Sequence, residues 1–278
     1  MSIHPQAIIG KNVLLGEANE IGPNAIIEDG VKIGSNNKIW PGAYICKGTE
    51  IGDHNEIHMN AVIGHAPQDL AYKGAPTKTI IGNQNIIREF TTIHRGTKED
   101  TATTIGNNNF LMAYAHVGHN GKIGNKVIMV NGTTLGGYCV VEDEVFFSGV
   151  VVVHQFCRIG RLALVSGLSA VNMDIPPFMV CGGRRSIVYA INVIGLRRAG
   201  IGSDARLEIK RAYKLLYRSA LNFATAISEI EKMCKTPEIN HLLDFIKNTK
   251  RGLCRGGTSH EATDLAAAKN DRSDLSDD

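Results

Sequence analysis

Four of the ten histidines, His94, His116, His119 and His154, are placed where acid–base chemistry could be assembled. Two of them share one short segment, Ala115-His116-Val117-Gly118-His119-Asn120. Imidazole is the side chain suited to accepting a proton near neutral pH, and Asn120 is a candidate to orient one of these rings. Gly137 follows His119 by 18 residues, inside Leu135-Gly136-Gly137-Tyr138. If coils of that length stack, a glycine lying over an imidazole leaves a backbone N–H accessible beside it. A general base paired with an oxyanion donor is what acyl transfer to a hydroxyl requires. No Gly-x-Ser-x-Gly elbow occurs and no cysteine has an evident basic partner, so direct attack is favoured over a covalent acyl-enzyme. Taken singly, each histidine reads as a solvated or satisfied side chain; clustering points to chemistry.

The elements that must position these residues follow from a repeat. Stepping by six from Ile9 meets an aliphatic residue at ten successive positions, ending at Ile63. The phase returns at Ile81, Ile87 and Ile93, then runs twelve more times from Ile105 to Val171. All 25 positions are apolar, and glycine follows in 12 of them. A helix cannot use a period of six, whereas a short strand plus a turn can. The apolar residue points inward, and the small residue after it is read as letting the chain bend. Such hexads predict a mainly β chain, a parallel β-helix of triangular coils stacked at strand spacing. Roughly nine coils are expected over residues 3–176. A β-sandwich would space its turns irregularly.

Residues 65–79 and 95–104 keep the phase but place polar or turn residues where the inward aliphatic belongs, so both are expected to loop out of the coil. Such loops on a rigid scaffold often carry function. The Pro176-Pro177 doublet is expected to end the β-helix, giving a first domain over 1–176. A small helical domain follows over 177–255: Ile209, Ala212, Tyr213 and Leu216 have helical spacing, as do Phe223, Ala224, Ile227 and Ile230, and then Ile239, Leu242, Leu243 and Ile246. Ser203 and Thr236 are the candidate N-caps, the latter with Pro237 at the first helical position. The acidic tail, 256–278, is expected to be disordered.

Composition narrows the function. The formal net charge is +3, too small to argue for nucleic acid, and aromatic interleaving is absent. Residues 196–255 nevertheless hold 13 Lys and Arg against 6 Asp and Glu. That basic region reads either as a solvated face or as a docking surface for an acidic protein. The six cysteines are scattered with no Cys-x-x-Cys pair, which fits reduced thiols. No apolar run approaches the ~18 residues of a membrane-spanning helix. The N-terminus lacks the pattern of a signal peptide, and a cytoplasmic location is expected.

At this point the chain resembles the bacterial UDP-N-acetylglucosamine O-acyltransferases that open lipid A biosynthesis. The segments that carry the resemblance are PQDLAYKGAPT (67–77), TTIHRGT (91–97), AHVGHN (115–120), VVHQFC (152–157), DIPPFMV (174–180), INVIGLRRAG (191–200) and AYKLLYRS (212–219). The resemblance implies a homotrimer of left-handed β-helices with active sites between neighbours. It also implies transfer of an R-3-hydroxyacyl group from acyl carrier protein to the glucosamine 3-hydroxyl, without a metal or other cofactor. By motif, His119 is the general base, Asn120 occupies the site of its orienting partner, and Gly137 is the oxyanion donor. Gln68 and Asp69 match the sugar-contacting loop. His94, His116, Tyr138 and Gln155 line the cleft, Asn192 and Arg198 match the nucleotide end, and Gly167 falls near the acyl-length ruler. The acidic carrier protein would dock on the basic helical region.

The chain departs from the family pattern at three places. Ala71 stands where the pocket loop commonly has lysine, Tyr138 follows Gly137 where histidine is familiar, and the basic run near the nucleotide end reads Arg197-Arg198-Ala199. Some relatives acylate a 3-amino sugar, and neither that choice nor chain length is readable from these residues. Other readings on the same scaffold are a γ-type carbonic anhydrase, with three histidines holding zinc between subunits, and a β-helix without activity. The sister N-acyltransferase would carry a domain before the repeat, whereas the hexads here begin by Ile9.

Overall fold

The computed structural model describes residues 1–184, 186–233 and 236–257. Its main body is a left-handed parallel β-helix whose three walls are sheets of 11, 9 and 8 strands, as the hexads predict. The inward aliphatics stack directly: Ile39 pairs with Ile57 one coil on, and Ile57 with Ile87. Ile27, Ile45, Ile63, Ile93 and Val117 are fully buried in one column. Their desolvation is the main driving force for the coil.

The turns are built differently from the expectation. The residue that turns the chain is the third after the inward aliphatic, held at positive φ whatever its type wherever one coil runs regularly into the next: Asn12, Asn24, Tyr114, even Val150 at 57° and Phe156 at 67°. Such a conformation is unfavourable for bulky residues, so stacking of neighbouring coils must hold it. The glycine directly after the aliphatic has another purpose. At Gly34 a Cβ would come within 2.8 Å of the Gly52 carbonyl carbon and oxygen on the next coil, so close backbone approach requires glycine there.

A second inward column, two residues before the aliphatics, is missing from the sequence reading. At one corner it is a ladder of buried asparagines, in which Asn37 N–H donates to Asn19 Oδ1 (2.8 Å), Asn55 to Asn37 (2.8 Å), Asn85 to Asn55 (2.9 Å) and Asn109 to Asn85 (2.9 Å). Buried polar groups paired this way cost little and fix the register.

Two segments leave the coil, 66–77 and 95–101, between the strands Val62–His65 and Lys78–Ile81 and the strands Thr92–His94 and Ala102–Ile105. Thr79 and Thr103, inside the expected excursions, lie in those returning strands and are fully buried. Both segments emerge at the corner where the 9-stranded sheet passes into the 8-stranded one.

The Pro176-Pro177 doublet does not end the sheet. The strand Met179–Gly182 continues it, pairing Val180 with Leu164 and Cys181 with Val165, and then forms an antiparallel hairpin with Ile187–Ile191. Gly160 makes the room: a Cβ there would overlap the Pro177 ring. Among the described residues four helices follow, α1 (Val193–Arg198), α2 (Ser203–Tyr217), α3 (Phe223–Met233) and α4 (Pro237–Lys247). Gly202 rather than Ser203 is the N-cap of α2; Thr236 holds the N-cap position of α4, but its hydroxyl donates to Glu208 and makes no cap bond to the helix. In α3 the buried residues are Ala226 and Ile230, while Phe223 and Ala224 face solvent.

The cap is tied to the coil by charge as well as burial. Asp174, 1% exposed, accepts from the Arg158 amide (2.8 Å) and the Thr249 hydroxyl (2.6 Å). His241 on α4 lies 2.7 Å from a Glu142 oxygen. Gly256 and Gly257, at the start of the expected disordered tail, pack against Val188; the remainder, 258–278, lies outside the described residues.

Candidate active site

The corner from which both excursions emerge also carries His119, Asn120, Gly137 and Tyr138. His119 and Asn120 lie between the strands His116–Val117 and Lys122–Ile123, so the 18-residue spacing sets Gly137 against the His119 ring. A Cβ at Gly137 would overlap the imidazole, so the contact requires glycine. The Gly137 N–H donates to no protein acceptor among the described residues. A free amide over an imidazole is the arrangement an oxyanion site needs.

Asn120 is buried, and its Oδ1 receives three groups: the Thr97 amide (3.1 Å), the Thr97 hydroxyl (2.9 Å) and His119 Nδ1 (3.1 Å). Its own amide is held by Thr103 Oγ1 at 2.8 Å. Because Oδ1 can only accept, Nδ1 is the protonated nitrogen and the Nε2 lone pair is left facing the cleft. Asp69, delivered by the 66–77 loop, places Oδ2 3.8 Å from Nε2, too far for a hydrogen bond. The Tyr138 ring meets His119 edge-on at 5.2 Å and stacks on Phe156 at 4.9 Å, while its hydroxyl lies 2.8 Å from Thr97 Oγ1.

A row of imidazoles extends from His119. His116 Nδ1 is 2.7 Å from Thr92 Oγ1, His94 meets His116 edge-on at 4.8 Å, and His65 lies 6.4 Å beyond His94. Burial pushes the His94 imidazole down to about 4, aided by the charges of His116, His65 and His119. Burial, with the charge of His119, also lowers His116. Both are neutral at physiological pH. Burial raises the Cys139 and Cys157 thiols to about 12 and Cys46 to about 11, so none of these supplies a thiolate nucleophile. No three His, Cys, Asp or Glu side chains among the described residues of one chain are grouped to hold a metal.

The remaining sequence candidates divide. Gln68 lies beside His94 in a cleft of about 480 Å³ that also contains Glu28, Tyr44 and His65. Gln155 is exposed next to Tyr138's stacking partner, and His154 turns its Nδ1 to the Gln155 carbonyl at 3.1 Å. Gly167 sits at a different corner, between the 11- and 9-stranded sheets. Asn192 and Arg198 line a cavity of about 1000 Å³ over the 11-stranded face. Asn192 also caps α1, accepting from Gly195 N–H (2.9 Å) and donating to the Leu162 carbonyl (2.8 Å). One chain therefore does not bring Gly167, Asn192 or Arg198 to His119. The sequence reading left Thr97, Thr92, Thr103 and His65 without roles. Thr97 stood in plain view, inside the quoted TTIHRGT segment, but the contact to Asn120 depends on how the 95–101 loop folds back.

Stacked hexapeptide coils, here with an imidazole beside a free amide at one corner, are the architecture of the hexapeptide-repeat transferases. Residues 14–47 and 30–65 match the bacterial transferase hexapeptide repeat, and residues 174–254 match the second domain of UDP-N-acetylglucosamine O-acyltransferase. The chain belongs to the acyl-[acyl-carrier-protein]–UDP-N-acetylglucosamine O-acyltransferase family. A relative of that name from Gloeothece citriformis is 47% identical over 186 residues, 67% of each chain. The UDP-N-acetylglucosamine O-acyltransferase structure from Moraxella catarrhalis superposes with a TM-score of 0.89 at 38% identity, covering 92% of this chain and all of that one. The Francisella novicida UDP-N-acetylglucosamine acyltransferase gives 0.88 at 35% identity, covering 93% and 96%.

Proposed function

We propose that the chain transfers an R-3-hydroxyacyl group from acyl carrier protein to the 3-hydroxyl of UDP-N-acetylglucosamine, the step that opens lipid A biosynthesis. The observation that carries this reading is the pairing of an unencumbered His119 Nε2 with the free Gly137 N–H, on a chain of this family. Nε2 takes the proton of the acceptor hydroxyl as its oxygen attacks the thioester carbonyl. The Gly137 amide stabilises the resulting oxyanion. Collapse breaks the C–S bond, and the imidazolium returns its proton to the departing carrier thiolate. Atoms and charge balance without a metal or other cofactor. Asn120 orients the ring, but a neutral amide offers the imidazolium less than a carboxylate would.

His94, His116, Tyr138 and Gln155 are the cleft-lining residues in this reading, Gln68 and Asp69 contact the sugar, and Gly167 bears on acyl length. The resemblance implies a homotrimer, and a neighbouring copy would suit the layout, since Asn192 and Arg198 line a different face from His119 and one chain does not complete a site holding both ends of a UDP-sugar. The acyl carrier protein docks on α2, where Arg206, Lys210, Lys214 and Arg218 recur at helical spacing. Among the described residues no helix is long and apolar enough to cross a membrane, and the reaction is assigned to the cytoplasm. Incubation with UDP-N-acetylglucosamine and a mixture of 3-hydroxyacyl carrier proteins, read by mass, tests this directly. A product heavier by one hydroxyacyl group supports it; no product from any carrier species rejects it.

A further inference from the structure

Residues 258–278 carry six carboxylates, Glu261, Asp264, Asp271, Asp274, Asp277 and Asp278, against two bases, Lys269 and Arg272, a formal charge of −4. Two of the acids stand directly before a leucine, as Asp264-Leu265 and Asp274-Leu275. The place from which this segment leaves the described structure is fixed. Gly257 is buried, donates its N–H to the Val188 carbonyl at 3.0 Å, and offers its own carbonyl to the Arg218 guanidinium at 2.9 Å. Gly256 packs on Tyr217, the last residue of α2, where an added Cβ would come within 3.1 Å of the ring. The acidic segment therefore starts at the C-terminal end of α2. Beside that end, between α2 and the strand Ile187–Ile191, lies a cavity of about 640 Å³. Ile191, Val193 and Leu215 give it apolar walls, and Lys210, Lys214 and Arg218 line it with charge. Both lysines are exposed, and among the described residues neither forms an ion pair. Arg218 joins the cavity wall to the root of the segment.

We propose that the acidic segment 258–278 folds back onto α2, setting carboxylates on Lys210 and Lys214 and the leucine of an Asp-Leu pair in the cavity beside them, and so competes with the acyl carrier protein for that face. This rests on the reading that the carrier protein docks on α2. The distances suit the contact. A helix rises about 1.5 Å per residue, so Lys214 and Lys210 stand about 5 and 11 Å along α2 from its last residue. Asp264 is seven residues beyond Gly257, and a coil of that length spans about 15 Å on average. Asp274 is seventeen residues beyond, with a span of about 23 Å. Both Asp-Leu pairs therefore reach the cavity. Charge draws the segment to the helix, and the leucine gives the contact a register that charge alone lacks. A tethered ligand acts at an effective concentration of about a millimolar, so a contact too weak to hold a free peptide is populated within one chain. A second copy of α2 is the poorer occupant. The helix carries Arg206, Lys210, Arg211 and Lys214 against Asp204 and Glu208, and two such faces repel.

The test is zero-length carbodiimide cross-linking of the full-length protein, read by peptide mass. A carboxylate and a lysine amine in contact condense to an amide, and the carbodiimide takes up the water as a urea. Cross-links from Lys210 or Lys214 to carboxylates of 258–278 are expected, at a yield independent of protein concentration and suppressed by high salt. Lys122, exposed on the strand Lys122–Ile123 of the coil, is the control and should receive none. Leu265→Ser with Leu275→Ser should cut the yield by about half or more. In turnover, the full-length variant with all six acids changed to their amides, Glu261→Gln with Asp264→Asn, Asp271→Asn, Asp274→Asn, Asp277→Asn and Asp278→Asn, should lower KM for the acyl carrier protein about threefold and leave KM for the UDP-sugar unchanged. The inference is overturned if no cross-link joins the segment to Lys210 or Lys214, if Lys122 receives as many, or if the yield rises with protein concentration, as contact with a second copy requires. It is overturned too if the six-amide variant leaves KM for the carrier protein unchanged while Lys210→Gln with Lys214→Gln raises it. If those two lysine substitutions do not move that KM, the docking reading fails instead, and the cross-links alone decide whether the segment lies on α2.

Discussion

His119 Nδ1 lies 3.1 Å from Asn120 Oδ1, and the same oxygen takes two further donors from Thr97. The amide is thereby locked, and it locks the imidazole tautomer. His119→Ala should lower kcat on the order of 10²-fold or more with an unchanged circular dichroism spectrum. Asn120→Asp keeps every acceptor contact and adds a charge that stabilises imidazolium. The acid limb of its pH–rate profile should therefore move to higher pH than in wild type. A limb that stays in place would show that residue 120 does not orient the base.

At Gly137 the demand is steric and electronic together. Gly137→Ala would push a methyl into the His119 ring, displacing the base from its free amide. The expected outcome is a kcat loss on the order of 10²-fold with binding of UDP unchanged, since Gly137 lies on a different face from the cavity lined by Asn192 and Arg198. Activity near wild type in a variant whose fold is intact would remove the oxyanion role.

His94 gives a stability prediction with a definite sign. Its imidazole is held at about 4 in the folded protein, against about 6.5 in an unfolded chain. The unfolded chain thus binds the proton first, and stability is lost as pH falls from about 6.5 to about 4. The loss is on the order of 3 kcal/mol. A melting series of wild type and His94→Gln between pH 7 and pH 4.5 should show the wild type falling more steeply. Parallel curves would mean that His94 is not the group held neutral.

How much of this was legible in sequence depends on which interactions are periodic. The inward aliphatics recur at a fixed step, so the β-helix and the contact of His119 with Gly137 could be counted out. The turn residues could not, because positive φ at Val150 or Phe156 is imposed by stacked neighbours and not by the residue's own preference. The asparagine ladder is periodic too, yet it keeps to one corner, gives way along its own column to Val127, Val145 and Ala163, and is replaced at the other corners by residues such as Ala43 and Thr49. Pro177 reads as a terminator only until Gly160, a coil earlier, is seen to accommodate its ring. Thr97 joins the site through a loop that has no period at all.

On α2, Lys210 and Lys214 are one turn apart and line a cavity of about 640 Å³ with Tyr189 and Tyr213. Arg218, one turn further, donates to the Tyr189 and Gly257 carbonyls, whereas both lysines are exposed. An acidic carrier protein would be drawn to them by long-range attraction, which salt screens over roughly 8–10 Å at ordinary ionic strength. Lys210→Glu with Lys214→Glu should raise KM for the acyl carrier protein about tenfold or more. The same pair should leave KM for the UDP-sugar unaltered and flatten the salt dependence of kcat/KM. Among the described residues neither lysine forms an ion pair, so the melting temperature should hold within a few degrees. A double variant with wild-type KM for the carrier protein would move the docking surface off α2 and leave its positive charge as a solvated face.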